Sequence, residues 1–213
     1  MKMKSLLAGV AAVAALVMLT ACSDTNDDQS AQNRSSASLT ASSAAAEPHN
    51  QADVMFAQHM IPHHEQAIEM SDVVLAKDGI DPRVIELANQ IKAAQGPEID
   101  RMQGWLTEWG QSMMPSGQRT TSSMPGMGMP GDGGMGMNGM MSAEDMAALQ
   151  NAQGVDASRL YLTQMIVHHQ GAIAMAQNEI DSGQYPDTIA MARSIADTQQ
   201  REIITMQNIL VSL

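Results

Sequence analysis

The 213-residue chain carries 23 Asp and Glu against 11 Lys and Arg, which gives a formal net charge of −12 at pH 7. An acidic surface repels phosphate groups and therefore argues against nucleic acid and anionic lipid as partners. The single cysteine excludes an internal disulfide and a thiolate metal cluster, so any soft-metal chemistry must use other ligands. Methionine is the abundant alternative, with 21 copies.

The N-terminal segment has the pattern of a cleaved export signal. Two lysines precede a 14-residue apolar run over residues 6–19, which is too short to span a membrane comfortably but is typical of a signal-peptide core. The run ends in Leu-Thr-Ala-Cys at residues 19–22, which resembles the lipobox of bacterial lipoproteins. This resemblance implies that residues 1–21 are a signal peptide and that Cys22 is lipidated. We therefore expect an extracytoplasmic protein, anchored by lipid to the periplasmic or cell-surface side of a bacterial membrane.

The segment that follows, residues 22–50, is rich in Ser, Ala, Asn, Gln and Asp. It contains too few large apolar residues to bury a core, so it is predicted to be a disordered tether. Residues 51–213 are enough for one domain with a hydrophobic core of its own.

This domain contains an internal repeat. Residues 60–70 (MIPHHEQAIEM) match residues 165–175 (MIVHHQGAIAM) at an offset of 105 residues. Six later pairs match at an offset of 104, namely Ile91 and Ile195, Gln95 and Gln199, Glu98 and Glu202, Met102 and Met206, Gln103 and Gln207, and Leu106 and Leu210. The sequence therefore predicts two related units, over residues 51–110 and 142–213.

Each unit has the apolar spacing of two amphipathic helices joined by a short turn. The predicted helices cover residues 53–77, 82–109, 156–182 and 186–211, and a short capped helix over 146–151 precedes the second unit. No strand pattern occurs. The predicted fold is all-α, a ferritin-like antiparallel four-helix bundle made of two repeated helical hairpins.

The two units differ in their proline content. Pro62 precedes the first histidine pair and Pro97 precedes Glu98, whereas the second unit has Val167 and Arg201 at these positions. Because a proline inside a helix removes one backbone hydrogen bond and clashes with the preceding turn, we expect kinks or local breaks at both places.

The segment between the hairpins, residues 111–141, is rich in Gly, Pro, Ser and Met and cannot form regular structure. It contains nine methionines: Met113, Met114, Met124, Met127, Met129, Met135, Met137, Met140 and Met141. Packing does not explain so many thioethers among so few other apolar side chains. A weak Cu(I)- or Ag(I)-binding segment is the preferred interpretation, with a low-complexity linker as the alternative.

The histidine pairs His63–His64 and His168–His169 flank the apolar stripe of their helices and point toward the bundle interior or its edge. Glutamates and methionines of the second helices share a face with core residues, so each hairpin can present imidazole, thioether and carboxylate groups. Such a set favours copper or silver over zinc, because thioether selects soft ions. The histidines and methionines could instead be ordinary core residues. Glu98 and Glu202 could either ligate the metal or only orient the imidazoles.

Several motifs together resemble a known bacterial family. Met-Ile-x-His-His with Ala-Ile-x-Met, Gln-x-x-Glu-x-x-x-Met, and Gly-Met-Met-Ser-x-Glu-Asp-Met-Ala-Ala-Leu before the second unit are similar to the family of domain of unknown function 305. The resemblance covers residue 53 to the C-terminus. It implies a ferritin-like fold and copper binding or tolerance outside the cytoplasm. The metal ligands it implies are Met60, His63, His64, Met70, Met102, Met165, His168, His169, Met175 and Met206.

The leading functional hypothesis is a non-enzymatic lipoprotein that binds or buffers copper, as Cu(I), and contributes to metal tolerance. It needs no organic cofactor, and its protein partner is unknown. A ferritin-like di-metal oxidoreductase is the first alternative. Such sites use paired Glu-x-x-His motifs, and here Glu98 and Glu202 are followed at that spacing by Arg101 and Thr205. The second alternative is a metal-free surface module that binds a partner protein.

Overall fold

The structure, a computed structural model, describes residues 48–113 and 138–213. These residues form five helices and, within the described ranges, no strand. The helices are α1 (Gln51–Leu75), α2 (Pro82–Glu108), α3 (Ala143–Asn151), α4 (Gly154–Ser182) and α5 (Pro186–Ser212). The predicted antiparallel four-helix bundle is confirmed, and each end of the four long helices lies within two residues of its predicted position.

The bundle consists of the α1–α2 hairpin and the α4–α5 hairpin, which pack on one another mainly through α1 and α4. The short helix α3 lies against α1 and α4. The apolar core divides into two clusters. The first core cluster includes Phe56, Met60, Trp105, Met175 and Ile195. The second core cluster includes Met70, Leu87, Leu149, Leu162 and Met206.

Polar side chains fix where the helices begin. Asn50 forms a capping box with Asp53 at the start of α1, and Ser142 forms one with Asp145 at the start of α3. Each box pairs free backbone N–H groups at a helix start with side-chain oxygens. The start of α2 follows the predicted pattern, since Asp81 precedes a proline and accepts from the backbone N–H of the residue after it.

Helix α5 lacks a side-chain cap of its own, and a residue of α1 takes over that task. Asp53 is fully buried and accepts hydrogen bonds from the backbone N–H of Gln184 (3.1 Å) and Tyr185 (2.9 Å) and from the hydroxyl of Thr188 (2.7 Å). Ser158 plays the related part in the other half, where its hydroxyl accepts from the N–H of Asp81 at 3.2 Å. The first helix of each hairpin therefore holds the turn of the other hairpin.

Of the predicted kinks or local breaks at the two prolines, the local breaks do not occur, and a kink at either place stays a prediction. Helices α1 and α2 are each continuous, with Pro62 and Pro97 in their interiors. A proline removes only one helical hydrogen bond. The side chains on either side of each proline, Ile61 and His63 in α1 and Gln95 and Ile99 in α2, are buried in the bundle and keep the helix in place.

Part of the predicted organisation lies outside the described residues. This applies to the signal peptide, to Cys22, to most of the tether and to six of the nine linker methionines, which leaves Met113, Met140 and Met141 within the structure. None of the described helices combines the length and the apolar character that a membrane crossing requires.

Candidate metal centre

A layer of polar side chains crosses the middle of the bundle and separates the two core clusters. Each long helix contributes two residues to this polar layer, and the pairs occupy equivalent positions in the repeat. The layer consists of His63 and His64 of α1, Gln95 and Glu98 of α2, His168 and His169 of α4, and Gln199 and Glu202 of α5. All four histidines are completely buried.

The two hairpins meet at His63 and His168. Their imidazole rings are in contact, with centroids 3.7 Å apart and planes inclined by 42°. The ring of His169 lies 6.3 Å from that of His168. The structure thus brings the two predicted histidine pairs, which are 105 residues apart in the sequence, into one cluster at the centre of the domain.

Each outer histidine is held by the glutamate of its own hairpin. The Nε2 atom of His64 lies 2.8 Å from Oε2 of Glu98, and Nε2 of His169 lies 2.7 Å from Oε2 of Glu202. A carboxylate only accepts, so each Nε2 carries the proton and donates it. In a neutral imidazole, this leaves the lone pair on Nδ1. The geometry therefore favours the orienting role for Glu98 and Glu202 over direct ligation.

The inner histidine of α1 is held in the same tautomer by a different group. Nε2 of His63 lies 3.2 Å from the backbone carbonyl of Asn138, which can only accept. His168 makes no hydrogen bond at either ring nitrogen. Nδ1 of His63, His64 and His169 is likewise buried without a partner.

Unpaired buried polar atoms are concentrated in this layer. Besides the imidazole nitrogens, three amide atoms of the layer have no hydrogen-bond partner. They are the nitrogen and oxygen of the Gln95 side chain and the oxygen of the Gln199 side chain. Leaving such groups unpaired costs about 1–3 kcal/mol each. Most buried polar atoms in native proteins are paired, and an orphan commonly marks a bound ion or water. The polar layer therefore fits a metal ion, for which neutral imidazole nitrogen is a common ligand.

Burial keeps the two inner imidazoles uncharged. It is the main reason why the pKa of His63 falls to about 3, and the neighbouring His64 lowers it further. Burial and then the adjacent His63 lower the pKa of His168 well below its ordinary value. Both rings are therefore neutral at neutral pH, which is the form that binds a metal ion.

The end of the methionine-rich segment covers one side of the polar layer. We call residues 138–141 the strap. The side-chain oxygen of Gln66 accepts from the N–H of Met141 at 2.7 Å, and its amide donates to the carbonyl of the same residue at 2.9 Å. On α4, a Cβ atom on Gly171 would lie 1.9 Å from the carbonyl oxygen of Asn138. The strap can approach α4 this closely only because residue 171 has no side chain.

The six methionines proposed as ligands are almost fully buried, but they divide into two groups. Met60, Met102 and Met175 lie in the first core cluster, and Met70, Met165 and Met206 lie in the second. Each group combines two methionines of one hairpin with one of the other. Antiparallel packing of α1 against α4 therefore places one methionine of each hairpin among those of the other, Met175 in the first core cluster and Met70 in the second.

Within the described part of the chain, no three or more His, Cys, Asp and Glu side chains are arranged to hold a metal ion as they stand. A centre in the polar layer would therefore need rotation of an imidazole or a thioether ligand. Gln95 and Gln199 were not among the predicted site residues, although their matching positions in the repeat were a usable signal. Asn138 was not predicted either, because its contact with His63 leaves no pattern in the sequence.

The model of the family "Domain of unknown function (DUF305)" matches residues 53–210. No curated protein matches the chain. A DUF305 protein of Streptomyces coelicolor, named as secreted, is 31% identical with a TM-score of 0.64, and the match covers 76% of this chain and 91% of that one. A DUF305 fragment of Deinococcus radiodurans is 32% identical with a TM-score of 0.64. This match covers 78% of the present chain and 99% of the fragment.

Structures of the protein CopM are also similar. Its Cu(II)-bound form is 31% identical with a TM-score of 0.59, covering 75% of this chain and 96% of that one. CopM has also been crystallised with Cu(I) and with Ag. The family match spans most of the chain and includes the whole polar layer, so this protein belongs to the DUF305 family.

Proposed function

We propose that this protein binds Cu(I) or Ag(I) in its polar layer and buffers copper outside the cytoplasm, as a non-enzymatic contribution to metal tolerance. The observation that carries the proposal is the state of the four histidines. Three have Nε2 tied to an acceptor and Nδ1 buried without a partner, and His168 has both nitrogens unpaired. These four imidazoles, of which His63 and His168 are in ring contact, present buried nitrogen lone pairs that a bound cation would satisfy.

The choice of a soft ion rests on the surroundings of the layer. The thioethers of Met60, Met102 and Met175 lie in the core on one side, and three equivalent thioethers lie on the other. Thioether ligands select Cu(I) and similar ions over harder divalent metals. The Cu- and Ag-bound crystals of the related CopM support the same class of ion.

Binding can be tested by thermal unfolding of the full chain with Ag(I) and by competition with a Cu(I) chelator. An ion that binds only the folded state stabilises it by about 2.7 kcal/mol at 100 times its Kd. We expect this stabilisation for the wild type, and its loss when His63, His64, His168 and His169 are all replaced by Leu. His49→Gln is the matched control, because His49 lies outside the layer and stacks on Trp109. An affinity for Cu(I) weaker than about 1 μM would overturn the proposal.

The two alternatives predict different results. A di-metal oxidoreductase would show iron-dependent turnover of peroxide, yet Glu98 and Glu202 are already engaged by histidines. A metal-free partner-binding module would show no stabilisation by Ag(I) and little copper in protein taken from copper-supplemented cells.

The location is a separate part of the proposal. The pattern before Cys22 supports a lipid anchor, and the Streptomyces coelicolor relative is named as secreted. Cys22→Ser should move the protein from the membrane fraction to the soluble fraction outside the cytoplasm. Unchanged fractionation of this variant would contradict lipid anchoring without affecting the metal proposal.

A further inference from the structure

The strap begins with a turn formed by Asn138 and Gly139. Asn138 is exposed, and Gly139 has a φ of 83°, in the left-handed region that favours glycine. The sequence contains no other Asn-Gly pair. An asparagine followed by glycine readily closes to a cyclic succinimide, because the next residue has no side chain to hinder the approach of its backbone nitrogen. The turn therefore combines the residue types and the exposure that this reaction requires.

The other asparagines of the described ranges are held in ways that oppose the reaction. The side-chain oxygen of Asn50 accepts two backbone N–H groups at the start of α1. In a helix the backbone is fixed, and the N–H that follows an asparagine is bonded to a carbonyl of the preceding turn. The asparagines within helices are Asn89, Asn151, Asn178 and Asn208. Asn138 is thus the one described asparagine that lies outside both a helix and a cap.

The backbone carbonyl of Asn138 contacts both hairpins at the edge of the polar layer. It accepts a hydrogen bond from Nε2 of His63 at 3.2 Å, and a Cβ atom on Gly171 would lie 1.9 Å from its oxygen. The next residue is seated as closely, since a Cβ atom on Gly139 would lie 2.7 Å from the carbonyl oxygen of Val167. The start of the strap therefore has no room for an additional atom on the side that faces α4.

We propose that Asn138 is a deamidation site at which the strap modifies itself. The backbone nitrogen of Gly139 attacks the side-chain carbonyl carbon of Asn138. The bond from that carbon to the side-chain nitrogen breaks, and ammonia leaves with the proton of the Gly139 N–H. Water then adds to one of the two carbonyl groups of the succinimide ring, and the ring opens to a carboxylate. The step needs no oxidant and no reactant other than water.

The product changes the group that holds His63. Water adds preferentially to the former backbone carbonyl, which is the more electrophilic of the two, and this opening gives isoaspartate. The main chain then passes through the former side chain and gains one methylene group, while the former backbone carbonyl becomes a free carboxylate. The neutral acceptor of the His63 N–H is thereby replaced by a charged one, and a charged acceptor bonds more strongly.

The additional methylene group also affects how the strap is attached. The strap is fixed at Met141 by two hydrogen bonds with Gln66, of 2.7 and 2.9 Å, and three residues earlier by its contact with α4. A longer main chain between these two points cannot keep both, because Gly171 leaves no space. Deamidation therefore loosens the cover of the polar layer as the protein ages. The change requires no bound ion, so it is independent of the proposed function.

Peptide mapping by mass spectrometry measures the reaction directly. The metal-free full chain is incubated at mildly alkaline pH, which favours loss of the Gly139 proton, and samples are digested at intervals. We expect the peptide that contains Asn138 to gain the mass difference between an amide and an acid before any helical asparagine reacts. Labelling by an isoaspartate methyltransferase should identify the main product. In the modified protein, hydrogen exchange at the N–H of Met141 should quicken at least about fivefold, the factor expected when one hydrogen bond is lost.

Asn138→Gln is the matched control. It keeps the amide group and the backbone carbonyl at an exposed position, but its cyclisation would need a larger ring. We expect no modification of this variant and the same exchange at Met141 before and after incubation. An Asn138 that reacts no faster than Asn89 would overturn the site. Exchange at Met141 that rises equally in Asn138→Gln, or stays unchanged in fully modified protein, would overturn the effect on the strap.

Discussion

The imidazole rings of His63 and His168 lie in contact across the interface between the two hairpins, with their centroids 3.7 Å apart. Both residues are completely buried, and burial lowers the pKa of each. Two neutral rings with unpaired nitrogens destabilise the folded state, because each unpaired atom loses a hydrogen bond that it makes with water in the unfolded chain. The metal-free protein should therefore gain stability when this pair is removed.

We expect His168→Leu to stabilise the metal-free protein by about 1 kcal/mol, because it replaces two unpaired ring nitrogens by apolar atoms of similar volume. The same variant should lose part or all of the stabilisation by Ag(I). Urea unfolding at neutral pH, with a metal chelator and then with Ag(I), measures both effects. A loss of stability in the metal-free state would mean that His168 is a packing residue.

The glutamates should act on the metal through the histidines that they hold. We expect Glu98→Gln and Glu202→Gln to weaken Cu(I) binding by about 10–100-fold, because an amide no longer fixes the tautomer that leaves Nδ1 free. Chelator competition measures this effect. Asp100→Asn removes an exposed carboxylate from the same helix and is the matched control. Equal affinities for Glu98→Gln and Asp100→Asn would show that the orienting bond has no effect on binding.

The carboxyl group of Glu179 should make stability fall as pH rises. Burial, with a smaller contribution from Asp53 and against a lowering by Thr188, raises its pKa from 4.5 to about 8. Between these values the unfolded chain releases the proton while the native protein keeps it. The free energy of unfolding therefore decreases with pH through this interval and levels off above it.

Glu179→Gln removes this dependence, so its stability relative to the wild type should increase between about pH 5 and pH 8. Urea unfolding at several pH values in that interval gives the difference, and comparison with the wild type cancels the titration of the histidines. Glu86→Gln, at an exposed position of α2, is the control and should run parallel to the wild type. Parallel curves for Glu179→Gln would contradict the raised pKa.

The position of the strap against α4 should depend on the absence of a side chain at Gly171. In Gly171→Ala, the new methyl group would meet the carbonyl of Asn138 at 1.9 Å, and we expect a loss of about 1–3 kcal/mol as the strap or the helix shifts. Gly104→Ala is the control, because no atom lies within 4 Å of its Cβ, and it should stabilise α2 by about 1 kcal/mol. Hydrogen exchange at the N–H of Met141 should quicken only in the first variant. Unchanged exchange there would mean that the contact with α4 does not hold the strap.

The helical bundle and the importance of its histidine pairs could be predicted from the sequence, since both follow from local patterns. Apolar spacing places the helices, and the repetition of the pairs at His63 and His168 singles them out from ordinary core histidines. Whether Glu98 ligates a metal or orients an imidazole could not be decided from the sequence, because that depends on how far apart two helices pack. Met70 lies in the second core cluster and Met175 in the first, each among methionines of the other hairpin. This placement results from the antiparallel contact of α1 and α4, which cannot be predicted from either hairpin alone.

Attachment of the methionine-rich segment at both of its described ends has a consequence for the chain that joins them. At one end, the N–H of Gln111 bonds to the carbonyl of Leu106, and the carbonyl of Ser112 accepts from Gln58. At the other end, the strap is bonded to α1. The bundle therefore sets the separation of the two anchors, so the entropic cost of joining them rises only slowly with the number of residues between them.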